Sequence, residues 1–232
     1  MELKTLLKKK AKKQENKAEE KIIPEQRMAL HALQKQKQVL ELKEWLVSIG
    51  FIGIVSLLRV PMQVIPNAEP LTFFAILAGW LFGRKKGVFV GISSLYLSNF
   101  LVLGGQGPWT IFQAAGYALV GFLGGMLREK ASFFEVLMIV LISTISLQLI
   151  FNIGWSAMMG MSFFIAMMTG LIFTAIHIIS NLAFATLLPA ARKFIYEKFG
   201  FNEKELCNDL IAELNGRMRA KQRDSGKQPT VQ

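Results

Sequence analysis

The sequence has few of the side chains that most often carry out chemistry. Cysteine occurs once, as Cys207, which excludes an intramolecular disulfide framework and a multi-cysteine metal site. Residues 45–191 contain no aspartate, one histidine (His177) and no G-x-S-x-G sequence, so the usual groups of a hydrolase are missing. No GxxxxGK[ST] sequence occurs either. We therefore expect no enzyme, no catalytic residue, no cofactor and no metal site, and any ATP hydrolysis must come from a separate subunit.

Acidic residues are also scarce in residues 45–191. They are limited to Glu69, Glu129 and Glu135, which all lie near the ends of apolar runs. Transporters that are driven by protons or sodium ions normally carry ionisable groups at mid-membrane depth. Secondary active transport is therefore disfavoured.

Charged residues are few and unevenly placed. They make up 19% of the chain against 52% hydrophobic residues, and the mean hydropathy of +0.38 is typical of an integral membrane protein. Lys and Arg number 12 in residues 1–44, 6 in residues 45–191 and 9 in residues 192–232. These ranges predict a basic, partly helical cytoplasmic segment, a transmembrane domain and a polar cytoplasmic tail. Basic flanks beside a hydrophobic block favour contact with an anionic lipid surface, and not with nucleic acid.

Six apolar runs approach or reach the roughly 17–25 residues that a membrane-spanning helix needs. They lie near residues 45–62, 68–83, 87–103, 110–127, 132–154 and 161–189, and the second is the shortest. We expect an all-α protein, a multi-pass bundle of six transmembrane helices in the cell membrane. Basic residues mark every second connector and the end of the last run, at Arg84, Lys85, Lys86, Arg128, Lys130, Arg192 and Lys193. By the positive-inside rule both termini are then cytoplasmic, and connectors 63–67, 104–109 and 155–160 face outward.

Amide and aromatic side chains gather in the half of the bundle that this orientation places outside. Unpaired amides are unfavourable in lipid, so these groups are expected to point inward. They can form hydrogen bonds between helices, or they can line an outward-facing pocket for a polar, partly planar small molecule. On the second interpretation the candidate substrate-binding residues are Asn67, Asn99, Gln106, Trp109, Gln113, Gln148, Asn152 and Trp155.

One connector, GGQGPWTIFQ at residues 104–113, has an unusual composition. Its three glycines permit positive φ angles, and Pro108 prevents a helix from continuing into the loop. We expect a sharp turn whose peptide groups come close to a bound molecule, with Gln106, Trp109 and Gln113 around it.

Arg59 is the lone cation on the outer side, and Glu69 follows in the next connector. The two can form an ion pair, or Arg59 can contact an anionic part of a ligand, and the sequence leaves both possibilities open. His177 and Asn181 are four residues apart on the last run, where a hydrogen bond between helices is the favoured role.

Small residues recur at a spacing that lets helices approach closely. They are Gly87, Gly91, Ser94, Ser98, Gly121 and Gly125. The pattern fits packing within the bundle, and it also fits a surface that binds other membrane subunits.

Residues 66–126 resemble a known family. The run PNAEP, the basic turn GRKKG, the ending SNF and the sequence GQGPW resemble the S component, or substrate-binding subunit, of energy-coupling factor (ECF) transporters. Among S components, those assigned to cobalamin or related micronutrients are the most similar. The resemblance implies a six-helix subunit that captures a vitamin-like molecule from outside. It also implies docking on a transmembrane coupling subunit that carries two cytoplasmic ATPases.

The first predicted span departs from that family. Many S components have Ala-x-x-x-Ala there as the docking face, whereas this chain has Gly50, Gly53 and Ser56 at three-residue spacing. A substrate-capture subunit for vitamin uptake is the preferred function. The alternatives are a structural or assembly protein that packs against other membrane subunits, and a stand-alone facilitator.

Overall fold

The structure is a computed structural model that describes residues 2–225, with side chains described for residues 24–218 and 220. Every regular element in this part of the chain is a helix. The helices are α1 (Glu2–Met62), α2 (Leu71–Phe82), α3 (Arg84–Asn99), α4 (Thr110–Gly124), α5 (Phe133–Met159), α6 (Phe163–Ala185), α7 (Leu188–Lys198) and α8 (Asn202–Ser225). The all-α prediction is therefore confirmed for the described residues.

Three described helical segments are long and apolar enough to cross a membrane. They are Pro24–Met62 within α1, the whole of α5 and the whole of α6. Helices α2 and α4 are apolar but shorter. An exposed apolar helix of this length is stable in hydrocarbon because its backbone hydrogen bonds are all internal. The three helices therefore indicate association with a membrane.

The chain divides into two compact units. The first combines the residues up to Leu42 with those from Gly200 onward, and the second runs from Lys43 to Phe199. In the first unit Leu40, Phe201 and Cys207 are buried, and the Gln36 amide donates to Glu203 at 3.3 Å. Cys207 is a free, buried thiol.

Helix α2 lies at the centre of the second unit. It packs against α3, α4, α5, α6 and α7, and Leu71, Ala75, Ile76, Leu77 and Ala78 are all at most 1% exposed. A helix that is apolar on all sides is typical of a protein core or of a membrane span. The 12 residues of α2 extend only about 18 Å at 1.5 Å per residue. Its apolar side chains are largely covered by the neighbouring helices.

Glycines allow α2, α3 and α4 to pack closely. A Cβ atom added to Gly121 of α4 would meet the backbone of Gly87 and would lie 2.7 Å from the Val88 nitrogen. A Cβ on Gly124 would lie 2.6 Å from the Ile76 carbonyl oxygen of α2. Because these obstacles are backbone atoms, they cannot move aside as a side chain can. Packing within the bundle thus accounts for these small residues.

The junction of α2 and α3 differs from the prediction. The sequence places Arg84, Lys85 and Lys86 in a connector, but they form the first turn of α3, and Gly83 alone separates the two helices. Gly83 has a φ angle of 87°, in the left-handed region that glycine adopts without steric penalty. One residue with this backbone conformation is enough to end one helix and begin the next, so no longer connector is needed.

The basic first turn of α3 has an internal counter-charge. Lys86 is buried and forms an ion pair with Glu44 of α1, and the Lys86 Nζ atom lies 5.3 Å from the ring centroid of Trp45. Cations are unfavourable at a helix N-terminus because the helix dipole is positive there. Glu44 and the aromatic ring offset this effect.

The sixth predicted run, 161–189, is interrupted in the structure. Helix α6 ends at Ala185, and α7 begins at Leu188 with Pro189 in its first turn. Proline lacks the N–H group that an interior helical position requires, but it fits the first turn of a helix. The chain therefore starts a new helix where the sequence pattern suggests one continuous apolar span.

Candidate ligand-binding cavity

A cavity of about 610 Å³ lies where α4 begins, α5 ends and α6 begins. Its lining is a mixture of amides, aromatic rings and small residues. The lining residues are Asn67, Trp109, Phe112, Gln113, Gln148, Phe151, Asn152, Gly154, Trp155, Met158, Ala166, Thr169, Gly170 and Phe173. None of these residues carries a charge.

Helices α5 and α6 each present one continuous face to the cavity. From α5 these are Gln148, Phe151, Asn152 and Trp155, and from α6 Ala166, Thr169, Gly170 and Phe173. Both sets follow the i, i+3, i+4, i+7 spacing of residues that share one side of a helix. The cavity is therefore a space between two helix faces, with the start of α4 as its third wall.

Glycines make room for side chains in this wall. A Cβ atom on Gly154 would lie 2.6 Å from the Phe112 ring, so that ring packs directly on the α5 backbone. A Cβ on Gly170 would lie 3.0 Å from Oδ1 of Asn152. Larger residues at either position would displace a side chain that lines the cavity.

The glycine-rich connector before α4 holds Trp109 in the wall. Gly104 and Gly105 have positive φ angles of 92° and 49°, which supplies the expected sharp turn. Gly107 does not have a positive φ. A Cβ on Gly107 would lie 2.6 Å from Cε2 of the Trp109 indole. Gly107 is thus needed for space, because the indole ring packs against it.

The buried polar groups of α5 and α6 form hydrogen bonds with one another. The Gln148 Nε2 atom lies 2.5 Å from Nδ1 of His177, and the Asn181 amide donates to the Thr144 hydroxyl at 3.0 Å. His177 and Asn181 are 1% and 2% exposed. Burying a polar group is unfavourable unless it is hydrogen-bonded, so these pairs hold the two helices in register. His177 does not line the cavity itself, but it holds the amide of Gln148, which does.

Asn67 connects the first connector to α6. It has a φ of 60°, a left-handed conformation that asparagine tolerates better than most residues. Its amide donates to the Phe173 carbonyl at 3.1 Å, and its own carbonyl accepts from Ser180 at 3.4 Å. These contacts hold Asn67 at the cavity.

Arg59 lies outside this cavity, in a network with Glu69. The Arg59 Nε atom is 2.9 Å from the Glu69 carboxylate, and its Nη1 atom donates to Asn99 at 2.7 Å. Tyr117 donates its hydroxyl to the other Glu69 oxygen. The Asn99 side chain in turn donates to the side-chain oxygen of Gln113, Oε1, at 3.5 Å. Gln113 is therefore the point at which the charged network reaches the cavity wall.

A second, smaller cavity of about 320 Å³ adjoins this network. Arg59, Gln63, Asn67 and Glu69 are among its lining residues. Asn67 belongs to the walls of both cavities. Since Arg59 and Glu69 form an ion pair with each other, the charges at this second cavity balance.

The candidate residues from the sequence are divided between these places. The cavity wall contains Asn67, Trp109, Gln113, Gln148, Asn152 and Trp155. Asn99 is buried one hydrogen bond behind Gln113. Gln106 is exposed, and its amide donates to the Tyr96 carbonyl at 2.9 Å. The structure thus brings six of the eight together and leaves these two outside the wall.

Sequence reasoning missed the apolar part of the wall. Phe112, Phe151, Met158 and Phe173 line the cavity, and Thr169 does so from α6. An apolar residue in an apolar span resembles its neighbours in hydropathy, so the sequence does not mark it as part of a site. The only available signal was the repeating spacing on α6, which the same residues would show if they faced lipid.

The described residues contain no group of three or more His, Cys, Asp or Glu side chains that could hold a metal ion. The donors in the cavity are instead amides, a hydroxyl and two indole N–H groups. Such groups can form hydrogen bonds and packing contacts with a ligand, and none of them is an acid, a base or a nucleophile near its working pKa. The arrangement therefore suits binding.

Comparison with known proteins gives one positive result. The model of a family of unknown function (DUF6580) matches residues 40–205, which is most of the chain. No curated protein and no solved structure matches the chain.

Proposed function

The chain belongs to the DUF6580 family, and from that premise we propose that it is the substrate-capture subunit of an ATP-driven, ECF-type importer. Its substrate is a vitamin-like small molecule, and the resemblance at residues 66–126 supplies cobalamin or a related compound as one candidate. The molecule binds in an outward-facing pocket and the chain itself catalyses no reaction. Transport is driven by ATPases on partner subunits.

The observation that carries this proposal is the amide-lined cavity of about 610 Å³. Ligand sites are typically concave spaces of roughly 300–1,000 Å³ with mostly apolar walls and a few polar groups that fix orientation. This cavity has that size and that mixture of groups. Amides on membrane helices that served only to join helices would be paired with one another. The side-chain amide of Asn152, however, makes no hydrogen bond among the described residues, which leaves it available to a ligand.

In the proposed topology six helices cross the membrane, with both termini in the cytoplasm. The cavity lies at the end of the bundle where α4 and α6 begin and where the connectors carry few cations. Arg84, Arg128 and Lys130 lie at the opposite end. The positive-inside rule therefore favours a cavity that opens outward. Helix α2 is shorter than a usual span, α3 is both shorter and more polar, and surrounding helices provide much of their environment.

The proposed partners are a transmembrane coupling subunit and a pair of cytoplasmic ATPases, within the lipid membrane. The small residues between α2, α3 and α4 are occupied by packing within the chain. These residues are therefore not available to a partner, whereas Gly50 and Gly53 of α1 have nothing within 4 Å of an added Cβ and leave an open face for docking.

The direct test is mass spectrometry of small molecules that remain bound through purification in detergent. We expect wild-type protein to retain one compound, and we expect Gln113→Leu/Asn152→Leu to lose it. The matched control is Gln106→Leu, because this amide lies outside the wall and its loss should leave retention unchanged. Equal retention by all three proteins, or no retained compound in any of them, would contradict the proposal.

Two further measurements separate the alternative functions. Liposomes that contain only this chain should show no flux of the retained compound, whereas a facilitator would conduct it. Co-purification from native membranes should recover a coupling subunit with two ATPases. An assembly protein would instead recover other subunits and no ATPase.

A further inference from the structure

The wall of the cavity carries no charge. Its polar groups are the amides of Asn67, Gln113, Gln148 and Asn152, the Thr169 hydroxyl and the tryptophan N–H groups. A charged group that leaves water is strongly unfavourable unless an opposite charge pairs with it. A ligand with a carboxylate, a phosphate or an ammonium group inside this cavity would find no such partner among the lining residues.

The nearest charged network does not supply that partner. Arg59 is bound to Glu69 at 2.9 Å and donates to Ser98 and Asn99 at 2.8 and 2.7 Å. A ligand group that extended past Asn67 into the smaller cavity would therefore meet a balanced ion pair whose hydrogen bonds are already made. The network reaches the main cavity through neutral groups, which are the Gln113 amide and Asn67.

The volume indicates how much of a ligand the walls can hold. At about 20–30 Å³ for each non-hydrogen atom, a molecule held wholly within 610 Å³ has roughly 20 to 30 such atoms. An intact corrinoid, with its macrocycle, amide side chains and nucleotide loop, is too large to be held wholly within these walls.

The lining also favours a flat molecule. Aromatic side chains stand on more than one side of the space: Trp109 and Phe112 at the start of α4, Phe151 and Trp155 on α5, and Phe173 on α6. Aromatic rings pack best against planar surfaces in offset-stacked or edge-to-face arrangements. Amides supply both donors and acceptors, which matches the edge of a heterocycle with ring nitrogens and carbonyl groups.

From charge, volume and lining together we infer that the ligand is an uncharged, planar heterocyclic molecule of about 20 to 30 non-hydrogen atoms, and not an intact corrinoid. The inference rests on the proposed function, since it names the substrate class of the same cavity.

The test is a binding competition in which each neutral compound is paired with a charged counterpart and cyanocobalamin tests the limit on size. Purified protein is incubated with a mixture of neutral nucleosides, a neutral pterin and riboflavin, each with its phosphorylated or carboxylated counterpart, together with cyanocobalamin. Bound compounds are separated by gel filtration and identified by mass spectrometry. Wild type is compared with Gln113→Leu/Asn152→Leu and with the control Gln106→Leu.

We expect one or more neutral members to be enriched about tenfold by wild type and by Gln106→Leu over the double variant, because buried amide hydrogen bonds are lost there. The charged counterparts should show no enrichment. Gly170→Ala places a methyl group 3.0 Å from Oδ1 of Asn152, so it should reduce binding of the larger neutral members more than that of the smaller ones.

Each contrary result has a definite meaning. Enrichment of a charged counterpart or of cyanocobalamin overturns the inference, and the capture function stands. If no member is enriched, the inference is also overturned, and the compounds retained from the cell decide the function. If the protein retains a corrinoid or an ion, and Gln113→Leu/Asn152→Leu loses it, the substrate-capture function stands. If no such compound is retained, both the inference and the capture function are overturned.

Discussion

The guanidinium of Arg59 lies 2.9 Å from the carboxylate of Glu69, and this pair joins the end of α1 to the connector that leads into α2. The two side chains are only 15% and 14% exposed. Tyr117 of α4 donates a hydrogen bond to Glu69, and Asn99 of α3 accepts one from Arg59. Four segments of the bundle therefore meet at one ion pair, which also lies behind Gln113 of the cavity wall.

Arg59→Met should destabilise the protein strongly, because it leaves Glu69 as an unpaired, largely buried charge. Loss of one partner of a buried pair costs roughly 3–5 kcal/mol, and the partial exposure of both side chains favours the lower end of that range. Thermal unfolding in detergent measures the effect. The double variant Arg59→Met/Glu69→Met should recover most of the lost stability. If its loss equals the sum of the two single losses, the two residues are not coupled.

His177→Leu should lower both stability and ligand retention. It removes the hydrogen-bond partner of the buried Gln148 amide, which costs about 1–3 kcal/mol. His177→Leu/Gln148→Leu leaves no unpaired amide, so its unfolding midpoint should rise again towards that of wild type. Ligand retention should stay low, since Gln148 lines the cavity. Restored retention in the double variant would mean that Gln148 does not contact the ligand.

Gly121→Ala should destabilise the bundle, because its methyl group would meet the backbone of α3. Overpacking of this kind costs about 1–3 kcal/mol, and more where only backbone can yield. The matched control is Gly53→Ala, since a Cβ on Gly53 has nothing within 4 Å. In a helix that change should stabilise the protein by up to about 1 kcal/mol. Equal unfolding midpoints for the two variants would contradict the close packing of α3 and α4.

Binding of the retained compound should quench the fluorescence of Trp109 and Trp155, which line the cavity. Trp45 and Trp80 lie outside the cavity wall, so their fluorescence should not change when the compound binds. Trp109→Phe/Trp155→Phe should therefore abolish the change on adding the compound back to stripped protein. Trp45→Phe/Trp80→Phe should keep it. A change that follows the second pair would place the ligand elsewhere.

The topology can be tested by labelling single cysteines with a membrane-impermeant maleimide. In a Cys207→Ala background, Gln106→Cys should react in intact cells, because the connector before α4 is proposed to face outward. Lys130→Cys lies in the connector at the opposite end of the bundle and should react only after permeabilisation. Labelling of both sites, or of Lys130→Cys alone, in intact cells would overturn the orientation.

Much of the bundle could be predicted from the sequence because apolar runs are a strong and local signal. The end of α1 and helices α2 to α6 lie on the six predicted runs, whereas most of α7 lies beyond the last of them. The spacing of Gln148 and Asn152 placed them on one face of α5. The ends of the helices differ from the ends of the runs at Gly83 and near Pro189. Backbone conformation at a single residue decides where a helix stops, and hydropathy does not report that conformation.

The candidate site was less accessible to such reasoning. Gln106 and Gln113 are both amides in one connector region, yet the first donates to the Tyr96 carbonyl and the second lines the cavity. Gly107 fits a flexible turn by its sequence context, but it provides room for the Trp109 ring. Residue type alone does not distinguish these roles.

The sequence by itself determined that this is an all-helical protein with long apolar helices, because the free energy of burying apolar side chains depends on composition and spacing along the chain. Which amides face a shared space, and which charges balance one another, was decided only by the tertiary structure. Those relationships join residues up to about a hundred positions apart, such as Asn67 and Phe173, and they arise only when the helices pack.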